Sequence, residues 1–155
     1  MRRILFALLA ATAPAAHAAT LEQATIKAGD VEVPIAIALP PGKGPFPPVL
    51  FIHAKRGIDE NEQKHIMELA DQGFLVVMPD WQAGRMIERW PSEHDPATEG
   101  DVEAALDYLL KHPGACRMAA GIVGQSRGPY SAIRLAAIKA LGQVATAVLK
   151  KYFNS

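Results

Sequence analysis

Ala119-Ala120-Gly121-Ile122-Val123-Gly124-Gln125-Ser126-Arg127-Gly128 is the stretch on which the reading of this chain turns. Ala119 to Val123 is a short apolar run without alternation, as in a strand buried on both faces. It runs straight into Gly-Gln-Ser-Arg-Gly, after which Tyr130, Ile133, Ala137 and Leu141 share one helical face until Gly142 ends it. A strand that passes through Gly-x-Ser-x-Gly into a helix turns sharply at the serine. The glycines leave room where a side chain would strike the neighbouring strand or helix, and the serine Oγ is pushed out above the C-terminal edge of the sheet. The five-residue pattern alone arises by chance in roughly one chain in twenty of this length, so the flanking strand and helix carry the reading. Ser126 is expected to be a nucleophile; the alternative is a helix cap in a closing strand-helix turn.

Upstream, Val49-Leu50-Phe51-Ile52 and Phe74-Leu75-Val76-Val77-Met78 are two more runs of the same kind. Amphipathic helices separate the three. In the first, Asp59 and Glu62 have the spacing of a capping box, Ile66, Leu69 and Ala70 form an apolar stripe, and Gly73 supplies the stop. In the second, Thr98 and Asp101 mark the start, and Val102, Ala105, Leu106, Leu109 and Leu110 fall on one face. Lys111-His112 then complement its negative end before Pro113-Gly114 break it. The order is β-α-β-α-β with right-handed crossovers in a single α/β domain. Ahead of it, Val31 to Leu39 alternates with period two, and Gln23 to Lys27 is placed to pair back through Gly29-Asp30 as an antiparallel hairpin. Pro34 lacks an N–H, which puts that strand near a sheet edge. Residues 40–48 are a Pro- and Gly-rich surface connection, and Gln143 to Tyr152 reads as a sixth strand or its beginning.

Composition removes several classes. Half of the 155 residues are hydrophobic and 21% charged, which is globular and not disordered. With 16 basic against 16 acidic residues and no basic run longer than Lys150-Lys151, no face suits a phosphate backbone, so no nucleic-acid partner is expected. The single Cys116 cannot pair internally, and no spacing offers a zinc set; neither metal nor cofactor is expected. Met1-Arg2-Arg3, the apolar stretch Ile4 to Ala13 and the Ala-x-Ala ending at Ala18 read as a secretory signal over residues 1–18. The apolar stretch is about ten residues where a membrane span needs roughly 20. The domain then covers residues 19–155, mildly acidic, periplasmic or extracellular, with no membrane contact once the signal is removed.

A serine attacking a carbonyl needs donors for the oxygen that becomes negative. One is the backbone N–H of Arg127, the residue after the nucleophile. The second should come from His53-Ala54-Lys55-Arg56-Gly57, the loop that leaves the same sheet edge. The side chains of Lys55 and Arg56 either help hold an anionic substrate or form a solvated surface.

With these pieces in place the sequence resembles the α/β-hydrolase superfamily and, within it, the dienelactone-hydrolase-like group. The resemblance spans about residues 21–152. It rests on the hairpin, Pro47 to His53 with Gly57, Leu69 to Phe74, Val76 to Asp80, Asp101 to Leu109, and the Gly124 to Gly128 elbow. It implies a three-layer α/β fold whose sheet is mostly parallel with an N-terminal antiparallel hairpin. It also implies an elbow serine or cysteine that attacks the carbonyl of an ester, lactone or peptide. Residue by residue, it makes Ser126 the catalytic nucleophile of a serine hydrolase and puts the N–H groups of Arg127 and Lys55 in the oxyanion hole, for a small-molecule acyl substrate.

Members of that group usually carry Cys at the elbow and Glu in the oxyanion loop, where this chain has Ser126 and Ala54. That favours a general esterase or a peptidase-like relative over dienelactone activity. Pro129, where a further Gly is common, fits a first helical turn. The resemblance also implies an acid and then a histidine after the serine, and no residue from Ser126 to Ser155 matches either. The expectation is a domain without its C-terminal third: an impaired serine hydrolase, or a non-catalytic remnant or binding module that keeps the elbow, with a sheet edge open to self-association. Of the residues present, His53 supports the oxyanion loop or acts as a base. His94 in Glu93-His94-Asp95 is an acid-histidine pair or a solvated loop. His65 and His112 lie on helix surfaces, Asp80 caps the segment after it, Cys116 is a small buried residue, and Trp81 and Trp90 wall the site or pack its loop.

Overall fold

The computed structural model describes residues 18–88, 95–117, 119–126, 128–129, 131–132 and 144–146. Readings placed on residues 1–17, Trp90, Glu93, His94, Arg127, Tyr130, Ile133, Ala137 and Leu141 lie outside them. β1 (Thr20–Ala28) and β2 (Val31–Leu39) form the antiparallel hairpin, with Gly29 at φ 62 in its turn. A two-residue hairpin turn calls for that positive φ. β1 extends beyond Gln23 to Lys27 and pairs from Thr20 opposite Leu39 to Ala28 opposite Val31.

β2 lies near the sheet edge, one strand in from it. Its other side pairs antiparallel with β4 (Leu75–Pro79), from Ile35 to Ala38, so β1 is the outer strand. Pro34 is tolerated because this ladder begins one residue later, opposite Pro79, and uses only the Pro34 carbonyl, which accepts the Asp80 N–H at 2.8 Å. β3 (Pro48–Ile52) and β5 (Ala120–Gly124) run parallel to β4, and β6 (Val144–Thr146), inside the segment read as a sixth strand, runs parallel to β5. Among the described residues the sheet order is β1-β2-β4-β3-β5-β6.

Side chains alternate across a sheet, so each continuous apolar run feeds two cores. Leu50, Ile52, Leu75, Val77 and Ile122 meet Val102, Ala105, Leu106 and Leu109 of α2 (Thr98–Lys111) on one face. Val49, Phe51, Val76 and Met78 meet Ile66 and Ala70 of α1 (Glu60–Asp71) on the other. A helix on each face gives the three layers, and it explains why these strands carry no polar alternation.

The helix starts depart from the sequence reading in an informative way. Asp59 caps α1, its Oδ1 accepting the N–H groups of Asn61 at 2.9 Å and Glu62 at 3.1 Å. Glu62, however, turns inward and is only 5% exposed. At α2 the first turn is held by Asp95, whose Oδ1 accepts the Ala97 N–H and whose carbonyl accepts the Thr98 hydroxyl. Asp101 is not a capping group; it is fully buried and paired side-on with Arg85, at 2.7 Å to Nε and 2.8 Å to Nη2.

Candidate active site

β5 ends at Gly124, in register with Ile52 of β3, and the chain reverses at once. The Gln125 N–H donates to the Ile52 carbonyl at 3.0 Å, and the Gly128 N–H donates to the Gln125 carbonyl at 2.8 Å. Between these bonds Ser126 is exposed and adopts φ 55. That left-handed conformation costs a residue with a side chain roughly 1–2 kcal/mol. Strained backbone of this kind clusters at functional sites. The two glycines close the turn by contact. A Cβ on Gly124 would lie 2.4 Å from the Gly128 carbonyl carbon and 2.5 Å from the Pro129 nitrogen, and one on Gly128 would lie 2.4 Å from the Ile52 oxygen.

β3 delivers residues 53–57 from the strand end that holds the elbow. His53 is fully buried, stacked on Trp81 with ring centroids 5.0 Å apart and planes 5° apart. Its Nδ1 lies 2.6 Å from the Ala54 carbonyl oxygen. Burial lowers its pKa below 6.5 despite the Ala54 carbonyl and Asp80, so the ring is neutral at pH 7. The 3.9 Å approach of Nε2 to Asp80 Oδ1 is therefore not an ion pair. Neutral His53 carries its proton on Nδ1 and donates it to the Ala54 carbonyl, with Trp81 stacked on the ring.

The oxygen it holds belongs to the peptide unit whose N–H is that of Lys55. Fixing one end of a planar unit aims the other. Gly57, at φ 80, donates its N–H to the same oxygen at 3.2 Å. Gln82, 3% exposed, donates Nε2 to the Lys55 carbonyl at 2.9 Å and so pins the next peptide unit. Asp80 caps the 3-10 turn Ala83–Arg85 through the Ala83 N–H at 2.9 Å, as expected of it.

A buried neutral histidine leaves a pH signature. Below pH 6.5 the unfolded chain takes up this proton while the folded chain does not, so stability falls with pH until the lowered folded pKa is reached. The slope from this one group approaches about 1.4 kcal/mol per pH unit in that window. His53→Asn keeps a donor near the Ala54 carbonyl and should lose that component, read from urea unfolding of both chains at pH 7.5 and 5.5.

The sequence reading missed two polar groups here, Gln82 and Glu62. With its amide oriented by its partners, Gln125 donates its nitrogen to Glu62 Oε2 at 2.6 Å and Oε1 at 2.9 Å. Burial raises the Glu62 pKa, and the Ala54 backbone N–H that faces the carboxylate opposes this. A signal was present: Glu62 stands four before Ile66 and eight before Ala70, an acid on the apolar stripe. Of the sequence-predicted site, the structure brings Ser126 and the Lys55 loop to one sheet edge; Arg127 lies outside the described residues.

Mouse acyl-coenzyme A amino acid N-acyltransferase 2 is 30% identical to this chain over 101 residues, 65% of this chain and 23% of that protein. A dienelactone hydrolase-like promiscuous phosphotriesterase from metagenomic libraries matches with a TM-score of 0.72 at 21% identity, covering 85% of this chain and 59% of that one. The dienelactone hydrolase of Anabaena variabilis matches with a TM-score of 0.65 at 19% identity, covering 85% and 63%. The chain thus spans about three fifths of the length of these two structures and under a quarter of the acyltransferase. These likenesses show the α/β-hydrolase fold. The profile of the Dienelactone hydrolase family matches residues 33–150, and the chain belongs to that family.

Proposed function

We propose that this protein is an exported serine hydrolase that acts on an ester, lactone or related acyl compound through an acyl-Ser126 intermediate. The observation that carries the reading is the exposed Ser126 at φ 55 on a turn closed by Gly124 and Gly128, beside a loop whose peptide units are pinned from behind. In this reading the Ser126 Oγ adds to the acyl carbonyl, and the oxygen that becomes negative takes hydrogen bonds from the N–H groups of Lys55 and Arg127. The serine proton passes to the departing alkoxide, which leaves as the alcohol, and water then attacks the acyl-serine, returning a proton to Ser126 and releasing the acid. Preorganised donors of this kind contribute roughly 3–4 kcal/mol each to such a step.

In this reading His53 supports the loop and is not the base, because it is fully buried against Trp81 and its Nε2, the nitrogen a base would use, lies beside Asp80 Oδ1 at 3.9 Å. No described residue matches the family's acid or histidine, so a highly reactive probe is the appropriate assay. Export is supported by the apolar leader and by Ala19, which directly follows the Ala-x-Ala, is 7% exposed, and donates its N–H to Asp71 Oδ1 at 3.0 Å. The mouse relative is named for passing acyl groups to an amino acid, chemistry that also suits an acyl-enzyme; the structural relatives named as hydrolases favour water as the acceptor.

The test is a fluorophosphonate probe on the purified chain, with intact-mass and peptide mapping. Covalent labelling at Ser126, lost in Ser126→Ala, is the expected result. A chain shown to be folded by circular dichroism that takes no label would favour a non-catalytic binding module built on the same elbow.

A further inference from the structure

Two parts of the proposed site come from different strands: the oxyanion loop follows β3 and the elbow follows β5. Their relative placement decides whether a carbonyl carbon can lie against Ser126 while its oxygen meets the loop. The Gln125 N–H on the Ile52 carbonyl joins them at the strand ends. A second connection runs behind them through α1. The Glu62 carboxylate, 5% exposed, receives the Gln125 amide at 2.6 and 2.9 Å and faces the Ala54 N–H. Gln125 immediately precedes the nucleophile, and Ala54 immediately precedes the predicted oxyanion donor Lys55.

We propose that Glu62 is a positioning residue, a brace from α1 that fixes the oxyanion loop relative to the nucleophile elbow by holding Ala54 and Gln125 on one carboxylate. This goes beyond the reaction assigned above and, for its catalytic consequence, rests on that assignment. The carboxylate matters because it accepts from both groups at once, with His65 Nδ1 a further 3.9 Å away. Glu62→Met, similar in length and apolar, accepts from neither. Glu62→Gln keeps both links, because its oxygen accepts the Ala54 N–H while the Gln125 amide turns over to accept the new NH2.

Two measurements test the brace. Hydrogen exchange of the purified chain, resolved by peptide mass spectrometry, is independent of activity. In Glu62→Met, peptides covering 53–57 and 124–128 should both exchange about tenfold faster, with the β1-β2 hairpin unchanged, while Glu62→Gln should keep both near the parent rate. Fluorophosphonate inactivation is the second measurement. The maximal rate of labelling should fall by roughly ten- to a hundredfold in Glu62→Met with little change in probe affinity, since a displacement near 1 Å costs about a hundredfold. Acceleration of only one loop, or of α1 alone, would overturn the brace, as would labelling of Glu62→Met at the parent rate. If the parent takes no label, the hydrolase assignment fails while exchange still decides the brace. Gln125→Met offers an independent check from the other side, and it should loosen the same two peptides.

Discussion

Gly128→Ala is expected to lower the rate of covalent labelling at Ser126 by at least about a hundredfold, while leaving a chain that still folds. The added Cβ would stand 2.4 Å from the Ile52 carbonyl oxygen and 3.3 Å from the Ile52 carbonyl carbon and Cβ. None of these is the flexible end of a side chain, so backbone must move. The Ile52 oxygen also accepts the Gln125 N–H, and the loop of residues 53–57 begins at the next residue. Pushing the elbow off Ile52 therefore stretches that hydrogen bond and separates Ser126 from Lys55 in one displacement. Overpacking against a rigid neighbour costs about 1–3 kcal/mol, a loss a domain of ordinary stability survives. Gly121→Ala is the control on the same sheet, because its Cβ would meet Val49 Cγ2 at 3.4 Å, an ordinary contact. It should keep both the fold and the labelling rate. Equal losses in the two variants would mean that β5 tolerates no methyl anywhere and that the elbow has no special sensitivity.

The contrast between these glycines shows what kind of information the sequence carried. Gly-x-Ser-x-Gly was readable because its constraint is local: a strand, a reversal and a helix start within a few residues impose the same contacts wherever they occur. The buried strands and the stripes of α1 and α2 were readable for a similar reason, since period and length report burial directly. The placement of β2 near the sheet edge was readable too, but its ladder to β4 was not, because where that ladder begins is a property of the partner strand.

The polar residues of the site were legible in type and not in role. Asp59 and Glu62 fit a local capping pattern, and only Asp59 obeys it, because a stronger partner for Glu62 lies 63 positions away in Gln125. Asp101 sits where helix starts favour an acid, and the structure gives it to Arg85 instead. Gln82 reaches the Lys55 carbonyl across 27 positions. Each of these pairings is made by topology bringing strand ends together. No periodicity within one element encodes them.

The second large effect belongs to the buried Arg85–Asp101 pair. Arg85→Ala should destabilise the chain by about 3 kcal/mol, the low end of the 3–5 kcal/mol typical of breaking a buried ion pair. The low end applies because the Arg85 side chain is 23% exposed while that of Asp101 is fully buried. Truncating the arginine leaves the Asp101 carboxylate in the interior without its two charge-assisted bonds at 2.7 and 2.8 Å, and the penalty is mostly that stranded charge. Arg85→Met combined with Asp101→Leu removes the charge along with its partner, so it should recover most of the loss. Urea unfolding of parent, single and double variants at pH 7 measures this directly, and a single variant within about 1 kcal/mol of the parent would show the pair to be worth no more than an exposed one. The effect should also reach the site. Arg85 closes the 3-10 turn that follows Gln82, and Gln82 holds the Lys55 carbonyl. Arg85→Ala, kept at a temperature where it remains folded, should therefore show faster hydrogen exchange at residues 53–57 than the charge-free double variant. If the two exchange alike there, the ion pair serves stability alone and residues 53–57 are held without it.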